Sequence, residues 1–141
     1  MCITHLMAYV LLVTVTVSAK TMTFKDVMKE SNRVKKNITS AKSLEQKKDI
    51  LKKWEAKLQE TLKSYEEENP KEGTSEEDLV SKYQISMEPV FDIVKDQISK
   101  VACVKAVHQI ELEDRDNTKK DPSLLSSEAK EALAILKLFC K

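Results

Sequence analysis

Three cysteines and two histidines are the residues in this 141-residue chain best suited to covalent or metal chemistry. Cys103 and His108 come nearest to a thiol nucleophile with its base. They stand five residues apart in a stretch that reads as helix, so they project about 140° apart around its axis. That separation excludes a nucleophile–base pair within one helix. Cys103, Cys140 and His108 also lack the paired spacing of a zinc site. A single glycine, Gly73, excludes a glycine-rich phosphate loop. Glu111, Glu113, Asp114 and Asp116 gather carboxylates that suggest calcium, but their spacing lacks the glycine and closing glutamate of an EF-hand loop. They read as a solvated charged turn. The lysines are diluted by acids and not interleaved with aromatics, which argues against nucleic acid as a partner. We therefore assign no catalytic residue, no metal ligand and no cofactor, and read the chain as non-enzymatic.

The N-terminus sets the chemical environment in which the cysteines are expected to work. Leu6 to Val17 is an apolar run broken only by threonines, too short to span a bilayer. Val17-Ser18-Ala19 supplies the small residues of a signal-peptidase site. Residues 1–19 thus read as a signal peptide and residues 20–141 as a single helical domain, soluble, secreted and extracellular. Cleavage removes Cys2 and His5. In an oxidising compartment, Cys103 and Cys140 then form one disulfide bond. Closing that long loop contributes about 4 kcal/mol in the chain-entropy model. Asn37-Ile38-Thr39 is an N-glycosylation sequon, so Asn37 is a candidate glycan site if it faces water.

The elements that must position these groups are helices. One glycine, abundant Lys, Glu, Leu and Ala, and the lack of alternating apolar residues predict an all-α fold, a small bundle of four to five helices. Thr23 with Asp26 predicts a capped first helix from Phe24 to Ile38, with Phe24, Val27, Met28, Val34 and Ile38 on one face. Ser43 with Gln46 opens a second, striped by Leu44, Leu51, Trp54, Leu58, Leu62 and Tyr65, with Trp54 as a core anchor. Asn69-Pro70 and Gly73 mark its end and a hinge. Ser75 with Asp78 predicts a cap on a short third helix carrying Leu79, Val80, Tyr83 and Met87, ended or kinked at Pro89. A long fourth helix is predicted over Pro89–Glu113. Its apolar residues run around so much of its girth that it is expected at the centre of the bundle. Glu111 to Lys120 is predicted as a loop, and Asp121-Pro122 as the start of a fifth helix reaching Cys140. The disulfide would then clamp the last helix onto the middle of the fourth.

Charge is unevenly divided. Residues 20–65 hold thirteen Lys/Arg against six Asp/Glu, and residues 66–141 hold eleven against seventeen. Lys47, Lys48, Lys52, Lys53 and Lys57 on the second helix are the candidate partner-binding cations, against sulfated glycan, anionic lipid or acidic protein. The alternative is that the two halves pack antiparallel and their fields partly cancel.

Two functions fit these features. One is a secreted binding protein that modulates an extracellular or host protein. The other is a carrier of a small apolar ligand or lipid in an inter-helical cavity, with adaptable Met22, Met28 and Met87 around it. A short leader ending Val17-Ser18-Ala19, a Lys/Glu-rich helical body and the late pair Cys103/Cys140 together resemble the small helical secreted proteins in the saliva of blood-feeding mosquitoes and related arthropods. That resemblance implies host-directed binding that interferes with haemostasis or immunity (immunomodulation), and no functional residue is carried over from it.

Overall fold

A computed structural model describes residues 21–68, 75–118 and 124–141, with the backbone alone for residues 116–118. The proposed signal peptide, the turn at Pro70 and Gly73, and Asp121-Pro122 lie outside the described residues, but the fifth helix does not start at Pro122 as expected: residues 124–126 are not helical and Ser126 caps a helix that begins at Ser127. The fold is an all-α bundle of five helices: α1 (Phe24–Ser40), α2 (Leu44–Glu68), α3 (Ser75–Lys95), α4 (Lys100–Thr118) and α5 (Ser127–Leu136). No strand occurs among the described residues.

The first two helices follow the local signals closely. Thr23 Oγ1 accepts the Asp26 N–H at 3.2 Å, and Asp26 Oδ2 accepts the Thr23 N–H at 3.2 Å, a complete capping box that satisfies otherwise orphaned donors. Ser43 Oγ caps Gln46 N at 3.2 Å, whereas the Gln46 side chain accepts from Lys42 N instead. Val27, Val34 and Ile38 of α1 and Leu51, Trp54, Leu58 and Tyr65 of α2 are buried, as their 3.6-residue spacing requires.

The third helix departs from expectation. It begins with Ser75 already helical, and it does not end at Pro89 but runs through it to Lys95. Proline forfeits the bond to the carbonyl four residues back. Here that residue is Ile85, on an exposed side of the helix. Continuing the helix buries Val90, Phe91, Ile93 and Val94 together with Pro89 itself. Each large aliphatic side chain removed from water contributes about 1.5–3 kcal/mol, which outweighs one lost hydrogen bond at about 0.5–1.5 kcal/mol. The long run expected as one central helix is therefore two. The chain breaks at residues 96–99, and α3 takes the central place, packing against each of the other four helices.

A polar relay locks that centre. Trp54 Nε1 on α2 donates to Tyr83 Oη on α3 at 3.0 Å. Tyr83 Oη donates to Ser31 Oγ on α1 at 2.8 Å, and Ser31 Oγ donates to Glu131 Oε1 on α5 at 2.8 Å. Lys35 Nζ closes the relay at 2.6 Å from the same carboxylate oxygen. The Trp54 and Tyr83 rings also meet edge to face, 6.1 Å apart. Replacing Tyr83 with Phe leaves the Trp54 N–H and the Ser31 acceptor unmatched. The Tyr83→Phe protein is expected to lose about 1–3 kcal/mol of stability by urea denaturation, with a sub-additive effect when combined with Ser31→Ala.

Candidate functional site

Ser99 starts α4: its Oγ accepts Ala102 N at 3.1 Å and its carbonyl accepts Cys103 N at 2.9 Å. Cys103 therefore stands in the first turn of α4 and not at the middle of a longer helix. Its sulfur is bonded to Cys140, with the Cα atoms 5.9 Å apart. Cys140 lies beyond α5, in a tight turn where its N–H and that of Phe139 both donate to the Leu136 carbonyl. At the other end of α4, buried Asp114 accepts the Ser126 N–H at 2.9 Å and the Ser126 hydroxyl. Ser126 is the N-cap of α5, its Oγ accepting from Ala129 N at 3.2 Å. A covalent bond and a charge-assisted hydrogen bond thus hold α4 antiparallel to α5 at both ends.

This fixes which side of α4 faces inward. Ala106, Ile110 and Asp114 are buried, and Ala102 and Cys103 are partly so. The opposite side carries Val101, Val104, His108 and Leu112 in water, with Val101 68 % and Val104 64 % exposed. Lys100, Lys105 and Arg115 flank them, also exposed. The expectation of an all-round buried helix is corrected for this half of the run. Small alanines, Cys103 and Ile110, and not Val101 and Val104, meet the bundle. His108 projects away from Cys103, and the cysteine's sulfur is committed to the disulfide.

The acidic residues expected in a loop lie instead within α4, which reaches Thr118. Asp114 is spent on the α5 cap. Glu113 Oε1 accepts from Gln109 at 3.1 Å. Asp116 is helical in its backbone, and its side chain lies outside the described residues. No group of three or more His, Cys, Asp or Glu converges to hold a metal ion among the described residues. Glu88 of α3 is nevertheless affected by its surroundings. Burial, and next the carboxylates of Glu113 and Asp92, raise its pKa.

The five lysines divide between two sides of α2. Lys57 reaches α1, with Glu30 at 3.3 Å, and Lys53 pairs with Asp49 one turn back at 2.8 Å. Lys48 and Lys52 line a groove on the α3 side. Lys47 is half-exposed and joins neither pair. Asn37 is exposed near the end of α1, while Ile38 of the same sequon is fully buried and the Thr39 hydroxyl donates to the Lys35 carbonyl at 2.8 Å. No helix among the described residues is long and apolar enough to cross a membrane. No known family model, no characterised protein and no solved structure matches the chain.

Two measurements probe this arrangement. Reducing the Cys103–Cys140 bond, or replacing both cysteines with serine, is expected to remove up to about 4 kcal/mol of stability and lower the melting temperature. For Glu88, the folded protein holds the proton more tightly than the unfolded chain. Stability is therefore lost as pH rises through the raised folded pKa. Glu88→Gln is expected to melt higher than the parent at neutral pH and to converge on it in acid. An equal melting temperature at neutral pH would place Glu88 outside any carboxylate strain.

Proposed function

We propose that this chain is a secreted, non-enzymatic binding protein that modulates an extracellular host protein of the immune or haemostatic system, and that it does so through the outer face of α4. The observation that carries this reading is the pair of valines, Val101 and Val104, on the first two turns of α4, left in water on a helix fastened at both ends. Two β-branched side chains in the open gain nothing for the folded monomer. Covering the part still in water contributes on the order of 1–2 kcal/mol each, since about a third of each side chain is already buried. Around them stand Lys100, Lys105 and Arg115, the arrangement of an apolar contact centre with a charged rim.

The rest of the chain supports export. An apolar N-terminal run with a small-residue cleavage site, a disulfide bond and an exposed sequon asparagine belong together in a secreted glycoprotein. The resemblance to arthropod salivary proteins points to a host target. The carrier reading has weaker support from the bundle's interior. Trp54, Tyr83, Leu58 and Met87 are fully buried where the helices meet, and Met87 serves there as core filling.

The decisive comparison is capture of partner proteins from host plasma by the native chain and by Val101→Asp/Val104→Asp. Both substitutions lie on solvated positions, so the circular dichroism melt should be unchanged. The variant is expected to lose at least about tenfold in affinity for the captured protein, the effect of removing a central anchor. Equal capture by both proteins would exclude the α4 face.

A further inference from the structure

A row of cations lines the side of α1 that faces away from the bundle. Val27, Ser31, Val34 and Ile38 mark the buried side of this helix. At 3.6 residues per turn, Lys25, Lys29, Arg33 and Lys36 fall on the opposite side, and each is exposed. From the first to the last the row runs about 16 Å at the helical rise. Lys25, Lys29 and Lys36 have no carboxylate within ion-pair distance among the described residues, in contrast to Lys35, which meets Glu131 at 2.6 Å. The acids of α1 stand on its flank and are engaged. Asp26 closes the capping box, and Glu30 meets Lys57 at 3.3 Å and Arg33 at 3.9 Å. Like charges three or four residues apart on a helix repel. Lys25 in the first turn also opposes the helix dipole. The exposed lysines of α2 carry no such cost, because Asp49, Glu55 and Glu60 are interspersed with them. Mixed signs would keep α1 equally well hydrated, so its unbroken row of one sign calls for an anionic occupant.

The ground on which the cations stand selects among anions. None of the large apolar side chains left in water among the described residues belongs to α1. Between the cations stands the amide of Asn32, itself exposed. A folded protein partner would require an apolar contact centre. A lipid surface would require an apolar side to insert, and single-stranded nucleic acid an aromatic platform for its bases. Charges repeating along a polar line suit instead a hydrophilic polymer with an anion on successive units. In the extracellular space, that chemistry belongs to sulfated polysaccharides. We propose that the outer face of α1 binds a glycosaminoglycan of the heparan sulfate class, its sulfates lying along Lys25, Lys29, Arg33 and Lys36, and that this tethers the secreted protein at the cell surface or matrix. The planar Arg33 guanidinium can donate two parallel hydrogen bonds to one sulfate, and the lysines act as point charges on either side. The proposal rests on export of the chain but not on the outer face of α4.

Isothermal titration of the disulfide-intact protein with a heparin octasaccharide tests the assignment. Binding is expected, weakening as salt is raised. The same octasaccharide stripped of its sulfates keeps only carboxylates and should bind at least about tenfold less tightly. Phosphatidylserine vesicles and a duplex DNA oligonucleotide should also bind less tightly at the same ionic strength. Lys25→Gln/Lys29→Gln/Lys36→Gln breaks no ion pair and should melt no lower than the parent, because it relieves repulsion. It is expected to lose at least about tenfold in affinity for the octasaccharide. Lys47→Gln/Lys48→Gln/Lys52→Gln removes the same charge from α2 and should keep most of the affinity, and Val101→Asp/Val104→Asp should bind through α1 as before. Export is read separately, by recovering the chain from the medium of cells that express it; a chain retained inside would overturn the tether. The α1 site is overturned if the octasaccharide does not bind, or if the desulfated sugar, the vesicles or the DNA binds as tightly. It is equally overturned if the α1 variant keeps full affinity, or if the α2 variant loses as much.

Discussion

The polarity of one hydrogen-bond relay constrains the whole bundle. An indole N–H can only donate, and an ionised carboxylate can only accept. Between Trp54 and Glu131 stand two hydroxyls, Tyr83 and Ser31, each with one proton to give. The relay therefore has a single consistent direction, from α2 through α3 and α1 to α5. Burial raises the Tyr83 pKa, with the Glu131 charge adding to it against the lowering by its hydrogen bonds, so the phenol keeps its proton and the relay keeps its donor. A slip of any participating helix by one residue would turn one of these groups away and leave buried polar atoms unmatched. Apolar packing alone tolerates such slips more readily, which is why a satisfied polar network specifies one arrangement of a greasy core.

With Tyr83 at the middle, α3 has to be the central element, and the position of α4 follows. Once Val90, Phe91, Ile93 and Val94 have filled the interior, little apolar volume remains for the next helix. The chain breaks after Lys95, restarts on Ser99, and lays down a helix whose inner face is built from alanine, a half-buried cysteine and one isoleucine. Such a face has little area with which to hold itself down. The Cys103–Cys140 bond and the Asp114–Ser126 contact make up for it, one covalent and one charge-assisted, at opposite ends of the same helix pair.

The parts of this fold written in local code were legible in the sequence. Thr23 and Asp26 declare the start of α1, and the stripe from Leu51 to Tyr65 declares the buried side of α2, because both depend on residues three or four apart. Pro89 misled for an instructive reason. Its own preference and that of Glu88 are local and opposed to helix, but the four apolar residues that follow it are rewarded only by contacts with other helices. Ser99 was a readable cap that marks the true break, and it sits inside an apolar run that draws attention away from it. Which side of α4 meets the bundle was not legible. Hydropathy scores Val101 and Val104 as core and the alanines as neutral, and only the space left by α3 reverses that order. The lysines of α2 were legible as cations, but their division between α1, on one side, and the groove, on the other, depends on Glu30 and Phe91, which are remote in sequence.

The same logic connects the α2–α3 groove with the outer face of α4. On α2, Lys48 and Lys52 border a floor made by Phe91 and Val94, residues that α3 supplies only because it continues past Pro89. On α4, the valines face outward because that continuation has already filled the interior. A helix ending at Pro89 would have withdrawn the floor of the groove and freed space for Val101 and Val104 inside. The proline-containing turn of α3 is therefore the point at which core packing and both exposed surfaces are decided together. The relay through Tyr83, two turns earlier on the same helix, is what holds that turn in place.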